Sequence, residues 1–188
     1  MQDRPSGRQA FYTLFETSIG PCGLAWNERG VVGFQLPEGN AAETRGRITR
    51  RFPGIVEALP PPQIQGVIAD VTALLAGEAR DLSAVPLDMD GVPDFDRRVY
   101  EVARSIPPGR VLTYGEIAAR LGSDNTRAIG QALGRNPIAV IVPCHRVVAA
   151  GGKLGGFSAN GGATTKRRLL AIEGARRDES PTLFDLIS

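Results

Sequence analysis

The sequence predicts a two-part protein, with an α/β N-terminal part built on antiparallel strands and a mostly α-helical C-terminal part. Apolar and polar residues alternate across Phe11–Leu36, whereas apolar residues recur at helical spacing from Phe95 onward. The stretch Asp88–Asp94 between them is rich in Asp, Gly and Pro, which favours a connecting segment. We therefore predict a domain boundary near residue 91.

The composition fits a folded protein of the cytoplasm. The chain has 188 residues, 42% of them apolar, which is enough to bury a core. No apolar run approaches the ~20 residues that a membrane helix needs, and Met1–Ala10 is polar and charged, unlike a signal peptide. We expect no membrane partner.

Charge is divided unevenly between the two parts. Residues 1–90 carry 8 basic and 11 acidic side chains, whereas residues 91–188 carry 14 and 9. A polyanionic partner is therefore plausible for the second part alone. Solvated surface arginines are an equally good interpretation until motifs are considered.

In the first part, the turn Asn27–Gly30 between apolar-alternating segments predicts an antiparallel hairpin. Two helices are expected next, near Asn40–Phe52 and at Gln63–Leu75. A strand is expected at Leu82–Leu87. The second helix has an apolar face formed by Ile64, Val67, Ile68, Val71 and Leu75.

The second part begins with a predicted helix at Phe95–Ser105. Thr113 and Glu116 have the spacing of a capping box, which predicts a helix over Tyr114–Leu121. A second short helix is expected at Asn125–Arg135, ended by the following Asn-Pro. Two short helices about a tight turn are typical of a helix-turn-helix, although packing alone also produces such pairs.

The apolar run Ile138–Val142 predicts a buried strand that ends at Pro143–Arg146. A glycine-rich loop over residues 151–162 follows. The last predicted helix covers Thr164–Glu173 and closes on Gly174.

The chain contains two cysteines and one histidine, which argues against a disulfide framework or a Cys/His zinc site. We expect no metal and no cofactor. Cys22 lies in strand-like sequence and is interpreted as a buried hydrophobe. Cys144 precedes His145 and Arg146, whose charges favour a thiolate.

Adjacent residues do not face each other, so proton transfer from Cys144 to His145 would need a bridging water. Glu173, in the last turn of an apolar helix, is the most suggestive acid to orient the imidazole. The residues alone thus indicate a Cys-His-acid site of unspecified substrate. A buried thiol beside a structural histidine is the alternative.

The segment Ile141–Val148, with the sequence IVPCHRVV, resembles the acceptor-site signature of O6-alkylguanine-DNA alkyltransferases. Other blocks resemble that family in the same order, and together they cover roughly residues 91–174. These blocks are Thr113–Ala118, Arg127–Gly130, Asn136–Ile138, Gly155–Ser158 and Lys166–Glu173.

The resemblance implies a fold and an activity. Residues 1–90 would form an α/β domain with an antiparallel, ribonuclease H-like sheet, and residues 91–174 a helix-turn-helix, winged-helix-like alkyltransferase domain. A tail, residues 175–188, would follow. The implied activity is DNA repair in a single turnover. The enzyme class implied is methylated-DNA–[protein]-cysteine S-methyltransferase. An alkyl group moves from O6-alkylguanine, with O4-alkylthymine as a further candidate substrate, irreversibly to Cys144 after base flipping.

The resemblance also assigns roles at the reacting centre. Cys144 would be the acceptor, His145 the water-mediated base, Glu173 the orienting acid and Asn136 a polar organiser of the network. The residues implied to form the substrate pocket are Leu133, Val147, Phe157 and Ser158.

On the DNA side, Arg127 would fill the vacated base stack and Tyr114 would crowd the backbone phosphate. Ala128 and Gly130 would let the second helix approach the minor groove. Thr113 would be a further DNA-binding residue. The implied partner is double-stranded DNA, bound by a monomer that is nucleoid-associated if the source is bacterial.

The match has departures. Phe157 stands where many members have a tyrosine whose hydroxyl can assist the departing O6. Asp96 and Tyr100 replace the usual glutamine and tryptophan, in positions that suggest packing. The loop Ser158–Lys166 is about two residues longer than the shortest family versions. The apolar tail segment Pro181–Ile187 suggests docking on a replication or repair protein.

Two other functions remain in view. A lesion-binding sensor would recruit excision repair without transfer, but such proteins carry another residue, commonly tryptophan, where this chain has Cys144. A thiol hydrolase would turn over on esters or amides, and the adjacent Cys-His pair and the DNA-type second part disfavour it.

Overall fold

The protein is described by a computed structural model that covers residues 8–175. Its N-terminal sheet has four strands in the order β3-β2-β1-β4. The first three form an antiparallel meander, and the short fourth strand pairs in parallel with the outer side of the first, so the predicted antiparallel strands are confirmed. The strands are β1 (Phe11–Thr17), β2 (Gly20–Asn27), β3 (Gly30–Gln35) and β4 (Val56–Glu57).

Helices cover both faces of this sheet, because neighbouring residues on a strand point to opposite sides. Helix α1 (Ala41–Arg51) is capped by the side chain of Asn40 and packs Ile48 against Tyr12 and Ala25. Helix α2 (Pro62–Leu75) joins the core on the other face, with Ile68 only half-buried and Leu74 in the core instead. Its buried residues are Ile64, Val67, Val71, Leu74 and Leu75.

The second part is mostly helical, as expected. The capping box of Thr113 and Glu116 is confirmed, since the Thr113 hydroxyl accepts from the Glu116 amide and the Glu116 carboxylate accepts from the Thr113 amide. Two two-residue strands, β5 (Leu112–Thr113) and β6 (Val147–Val148), pair in parallel within this part. The helices are α3 (Asp94–Arg104), α4 (Tyr114–Arg120), α5 (Thr126–Gly134) and α6 (Gly162–Ile172).

The strand expected at Leu82–Leu87 was wrong, because only Leu87 forms a bridge, to Val31. The carbonyls of Leu82 and Val85 turn instead toward the guanidinium of Arg104, and Pro86 has no amide hydrogen to extend a ladder. The chain does approach β3 closely. A Cβ on Gly30 would lie 2.4 Å from the Pro86 carbonyl oxygen, so this position requires glycine.

The strand expected at Ile138–Val142 was also wrong. This run is buried but folds back on itself, since the Val142 amide donates to the Ile138 carbonyl at 2.8 Å. Val140 adopts a φ of 70°, which is rare for a β-branched residue. Asn136 braces the turn with both ends of its amide: Oδ1 accepts from the Ile138 amide and Nδ2 donates to the Val142 carbonyl, each at 2.9 Å.

The core is shared between the two parts. Phe34 of β3 donates its amide to the Pro137 carbonyl at 2.9 Å, and its side chain belongs to the same buried cluster as Ile138 and Val142. Cys22 is fully buried in this cluster, and burial raises the pKa of its thiol to about 12. The two parts thus share one continuous core. The domain boundary near residue 91 stays a prediction.

The two replacements in α3 serve packing. Asp96 is buried and receives two hydrogen bonds of 2.9 Å from the Arg135 guanidinium. The Tyr100 hydroxyl donates to the Ala132 carbonyl at 2.9 Å. Both tie α3 to the end of α5.

A membrane-spanning helix must be both long and apolar, and none of the helices within residues 8–175 meets both conditions.

Candidate active site

Cys144 is presented by the braced turn rather than by a strand. It begins a 3₁₀ turn over Cys144–Arg146, and its amide donates to the Val142 carbonyl at 2.8 Å. The side chain of Asn136, which holds the turn, also acts to lower the pKa of the thiol. Cys144 is 8% exposed, so its sulfur is buried yet reachable from a cavity.

His145 and Glu173 form a buried pair directly behind this turn. The Nε2 atom of His145 lies 2.8 Å from Oε1 of Glu173. Arg146 clamps the same carboxylate, donating from Nε to Oε2 at 2.9 Å and from Nη2 to Oε1 at 2.8 Å. Burial would raise the pKa of Glu173, but the hydrogen bonds from His145 and Arg146 outweigh it and lower the pKa to about 2.

The carboxylate therefore stays ionised and fixes the histidine. Burial lowers the pKa of His145 despite the opposing effect of Glu173, so the imidazole is neutral near pH 7. A neutral ring whose Nε2 faces a carboxylate carries its proton on Nε2, which leaves the Nδ1 lone pair as the basic site. Nδ1 is buried and has no hydrogen-bond partner among residues 8–175.

The thiol needs such a base, because burial raises the pKa of Cys144 above its ordinary value. The Asn136 side chain and the positive charge of Lys166 act in the opposite direction, as do the amides of Cys144 and His145. The site thus holds a protonated thiol surrounded by groups that stabilise its anion, which suits a nucleophile deprotonated on demand.

Lys166 lies at the site, although in the sequence it stood out only as part of a block that resembles the family. It is fully buried, and its Nζ donates to the Val147 carbonyl at 2.6 Å and the Gly156 carbonyl at 3.2 Å. Burial lowers its pKa to about 8. The available signal was position, since Lys166 precedes the buried Leu169 and Leu170 by three and four residues on one face of α6.

Arg146 was likewise noted only for its charge next to Cys144. The structure places it in the core, where its guanidinium donates to Glu173 and to the Ile106 carbonyl. Nothing in the sequence indicated this contact, because Arg146 and Glu173 are 27 positions apart.

A cavity of about 620 Å³ opens over the thiol. Its wall combines α4, α5 and the loop after β6, with more apolar than polar surface, and so suits a small, largely apolar ligand. The predicted site residues that line it are Tyr114, Arg127, Gly130, Leu133, Cys144, Phe157 and Ser158. Gly134, Gly156, Thr126 and Gln131 complete the wall.

Three other predicted residues lie elsewhere in the described chain. Ala128 is half-buried on α5, and Thr113 caps α4. Val147 is fully buried and serves the site through its carbonyl, which accepts from Lys166. The structure therefore gives Val147 a supporting position beneath the cavity.

The ring of Tyr114 packs closely against Gly155, where a side chain would leave too little room. Gly155 has a φ of 71°, and a Cβ there would lie 2.9 Å from Cε2 of Tyr114. The Lys166 Nζ lies 5.8 Å from the centre of the Tyr114 ring on the core side. Burial raises the pKa of the Tyr114 phenol, and Cys144 raises it further when it is a thiolate, so Tyr114 stays a neutral hydrogen-bond donor.

Within residues 8–175, no group of three or more His, Cys, Asp or Glu side chains is arranged to hold a metal ion. The chemistry that the described residues can perform is a nucleophilic attack by Cys144 on a guest in the cavity, with His145 as the base and Glu173 as its partner.

Comparisons with known proteins identify relatives of this chain. Residues 94–175 match the family described as 6-O-methylguanine DNA methyltransferase, DNA binding domain. The methylated-DNA–protein-cysteine methyltransferase of Mycobacterium tuberculosis is 37% identical over 175 residues, which cover 93% of this chain and 98% of that protein. The protein of the same name from Methanothermobacter thermautotrophicus is 36% identical over 152 residues, 81% of this chain and 78% of its own length.

The fold gives the same answer. The crystal structure of Mycobacterium tuberculosis OGT in complex with DNA superposes with a TM-score of 0.72 at 35% identity, covering 87% of this chain and 92% of the other. Both share a mixed α/β architecture with an N-terminal sheet. This chain belongs to the methylated-DNA–protein-cysteine methyltransferase family.

Proposed function

We propose that this protein repairs alkylated guanine in DNA by transferring the alkyl group to the sulfur of Cys144, once per molecule. The observation that carries the proposal is the position of Cys144, which lines the cavity while its neighbour His145 pairs with Glu173 behind it. The names of the relatives, which are methylated-DNA–protein-cysteine methyltransferases, support the same reaction.

The lesion base must leave the duplex before it can enter this cavity, because a stacked guanine keeps its O6 substituent out of line with the thiol. Arg127 is exposed at the cavity wall and can fill the space that the base vacates. Tyr114 stands in the same wall, where its bulk would crowd the phosphate of the rotating nucleotide. Ala128 and Gly130 keep this side of α5 narrow for a minor-groove approach.

Transfer then follows from the protonation states. His145 Nδ1 takes the thiol proton through a bridging water, while His145 Nε2 keeps its hydrogen and donates it to Glu173. The thiolate of Cys144 attacks the alkyl carbon, an S–C bond forms, and the C–O6 bond breaks with its electron pair on guanine. The departing base gains one proton from Tyr114 in the cavity, and the proton that His145 took from the thiol then restores the phenol, so that the protons balance.

The product is a stable thioether and an unmodified guanine. A thioether is a poor leaving group, so no step regenerates the thiol, and each molecule acts once. O4-alkylthymine is a further candidate substrate of the same attack.

Finer assignments belong to this proposal too. They are a ribonuclease H-like N-terminal sheet, a winged-helix-like C-terminal domain, a division near residue 91, a monomer, and a cytoplasmic or nucleoid location. The tail docking suggested by Pro181–Ile187 lies outside the described residues.

Intact-protein mass spectrometry after mixing with duplex DNA that contains O6-methylguanine tests the proposal. We expect a gain of one methylene, about 14 mass units, that is absent from a Cys144→Ser variant. Binding of the lesion by an unmodified protein would instead support the sensor function.

A further inference from the structure

A second cavity, of about 500 Å³, adjoins the acceptor cavity on the side of the N-terminal part. Its wall includes β3, α1 and the end of α5, so it runs from the thiol to the surface of the first part. Among residues 8–175, four arginines and a single carboxylate, that of Glu38, line it. The residues that it shares with the acceptor cavity are Gly134, Cys144, Phe157 and Ser158.

The arginines are concentrated on one helix. Residues 1–90 contain eight basic side chains, and four of them lie within the 11 residues of α1. At 3.6 residues per turn, Arg47, Arg50 and Arg51 fall within an arc of about 100°, which we call the arginine face of α1. Arg45 points to the opposite side, where Glu57 binds it through two hydrogen bonds of 3.2 Å. Arg135, at the end of α5, completes the arginine lining.

These guanidinium groups are only partly neutralised. Arg135 forms an ion pair with Asp96, and Nε of Arg47 lies 3.8 Å from Oε1 of Glu38. Arg51 donates to the carbonyl of Asn136 at 3.1 Å. Arg50 has no carboxylate partner among residues 8–175.

Positive charge therefore accumulates along the wall of the second cavity. Packing around the Arg51 guanidinium lowers its pKa, and the neighbouring charge of Arg47 lowers it further. An anion bound between these side chains would relieve that repulsion. The charge of the lining therefore favours an anionic ligand.

Exposure decides which kind of anion fits. The Arg47 and Arg135 side chains are 57% and 56% exposed. A single carboxylate gains little binding free energy from guanidinium groups that are this exposed to solvent, because water screens the ion pair. A polyanion gains more, since each neutralised phosphate releases a counterion into solution.

We propose that the arginine face of α1, together with Arg135, is a second DNA-contacting surface. It binds backbone phosphates of the strand whose rotated nucleotide occupies the acceptor cavity, and so it rests on the proposed function. Arg127 and Arg135 are eight residues apart along α5, a rise of about 12 Å. Measured along the axis of B-DNA, that distance corresponds to roughly three to four phosphates of one strand.

The salt dependence of DNA binding tests this surface. Fluorescence anisotropy of a labelled, unmodified duplex is measured with the full chain at several salt concentrations. Arg47→Gln and Arg50→Gln should each reduce the slope of log affinity against log salt by about one, and the double variant by about two. Arg45→Gln removes the same charge from the opposite side of α1 and should keep the parental slope. Thermal melting checks that each variant is folded.

Two results overturn the inference: slopes that stay parental in Arg47→Gln and Arg50→Gln, or an equal loss in Arg45→Gln. Parental DNA binding combined with slower transfer of a carboxylate-bearing alkyl group alone would also overturn it, because the arginines would then hold the alkyl tail. The unaltered protein's methyl uptake is measured in parallel. If it takes up methyl but the slopes do not change, only the DNA surface fails; if it takes up none, the proposed function fails.

Discussion

The Nε2 atom of His145 lies 2.8 Å from Oε1 of Glu173, and the two side chains are only 1% and 3% exposed. Arg146 holds the other oxygen of the same carboxylate. The pair thus combines a buried negative charge, a fixed imidazole tautomer and a free Nδ1 lone pair next to the acceptor cysteine. Stability and reactivity depend on the same few atoms.

Replacing this carboxylate is expected to weaken both properties. Glu173→Gln would leave the buried Arg146 guanidinium without its ion-pair partner, at a cost of about 3–5 kcal/mol in the free energy of unfolding. Transfer should slow because the histidine loses its orienting anion. Urea denaturation measures the first effect, and the exposed Glu101→Gln serves as a control that should change stability by less than about 0.5 kcal/mol.

The same carboxylate makes stability depend on acid. Its pKa is about 2 in the folded protein and ordinarily 4.5, so the folded value is depressed. The stabilisation is complete above pH 4.5 and is lost as the pH falls toward 2, by about 3 kcal/mol in all. Urea denaturation at pH 7, 4 and 2.5 should show this loss in the parent. If the Glu173→Gln variant loses as much free energy of unfolding in acid as the parent, other carboxylates cause the loss.

Lys166 is expected to assist ionisation of the thiol. Its positive charge lowers the pKa of Cys144, so Lys166→Met should raise that pKa and slow alkylation by iodoacetamide. Lys166 itself has a pKa of about 8, so the difference between parent and variant should be largest below pH 8 and shrink above it. The exposed Lys153→Met should follow the parental pH profile. A Lys166→Met profile that coincides with the parent's would rule out this role.

Gly155 is expected to control the position of Tyr114. Gly155→Ala adds a methyl group 2.9 Å from the ring at a φ of 71°. Gly122→Ala is the matched control, because its φ of 65° is similar but its Cβ would meet no atom within 4 Å. Both should lose about 1–2 kcal/mol from backbone strain, whereas only Gly155→Ala should slow methyl transfer from duplex DNA. Equal transfer rates would show that Tyr114 tolerates displacement.

Phe157 offers a gain-of-function test. It lines the cavity without a hydroxyl, so the departing O6 lacks one possible donor. Phe157→Tyr should accelerate transfer from O6-methylguanine, by up to about 10²-fold if the hydroxyl is well aimed. Phe157→Leu, which adds no donor, should not. Quench-flow measurement of restored guanine compares the three proteins, and a rate no faster in Phe157→Tyr would show that O6 lies elsewhere.

The sequence predicted local features well where one pattern has one structural meaning. The alternation in Phe11–Leu36 and the Thr113–Glu116 capping box each had a single good interpretation, and the structure confirms both. The apolar run Ile138–Val142 did not, because a buried turn and a buried strand have the same composition. What made it a turn was the amide of Asn136 and the positive φ of Val140, and both depend on tertiary contacts.

Charge averaging hid a further feature. The excess of acidic residues in 1–90 pointed away from a polyanionic partner for that part. The fold nevertheless gathers Arg47, Arg50 and Arg51 on one side of α1, beside the acceptor cysteine. Buried Lys166 and Arg146 were missed for a related reason, since basic residues are normally expected at the surface.

The central claim, a single irreversible transfer to Cys144, is tested most directly by counting products. The protein is mixed with an excess of duplex that contains O6-methylguanine, restored guanine is quantified at completion, and the modified peptide is located by mass spectrometry. The account predicts one guanine restored per protein molecule and one methyl group on Cys144. Several guanines per protein with an unmodified Cys144, or lesion binding with no guanine restored, would contradict it.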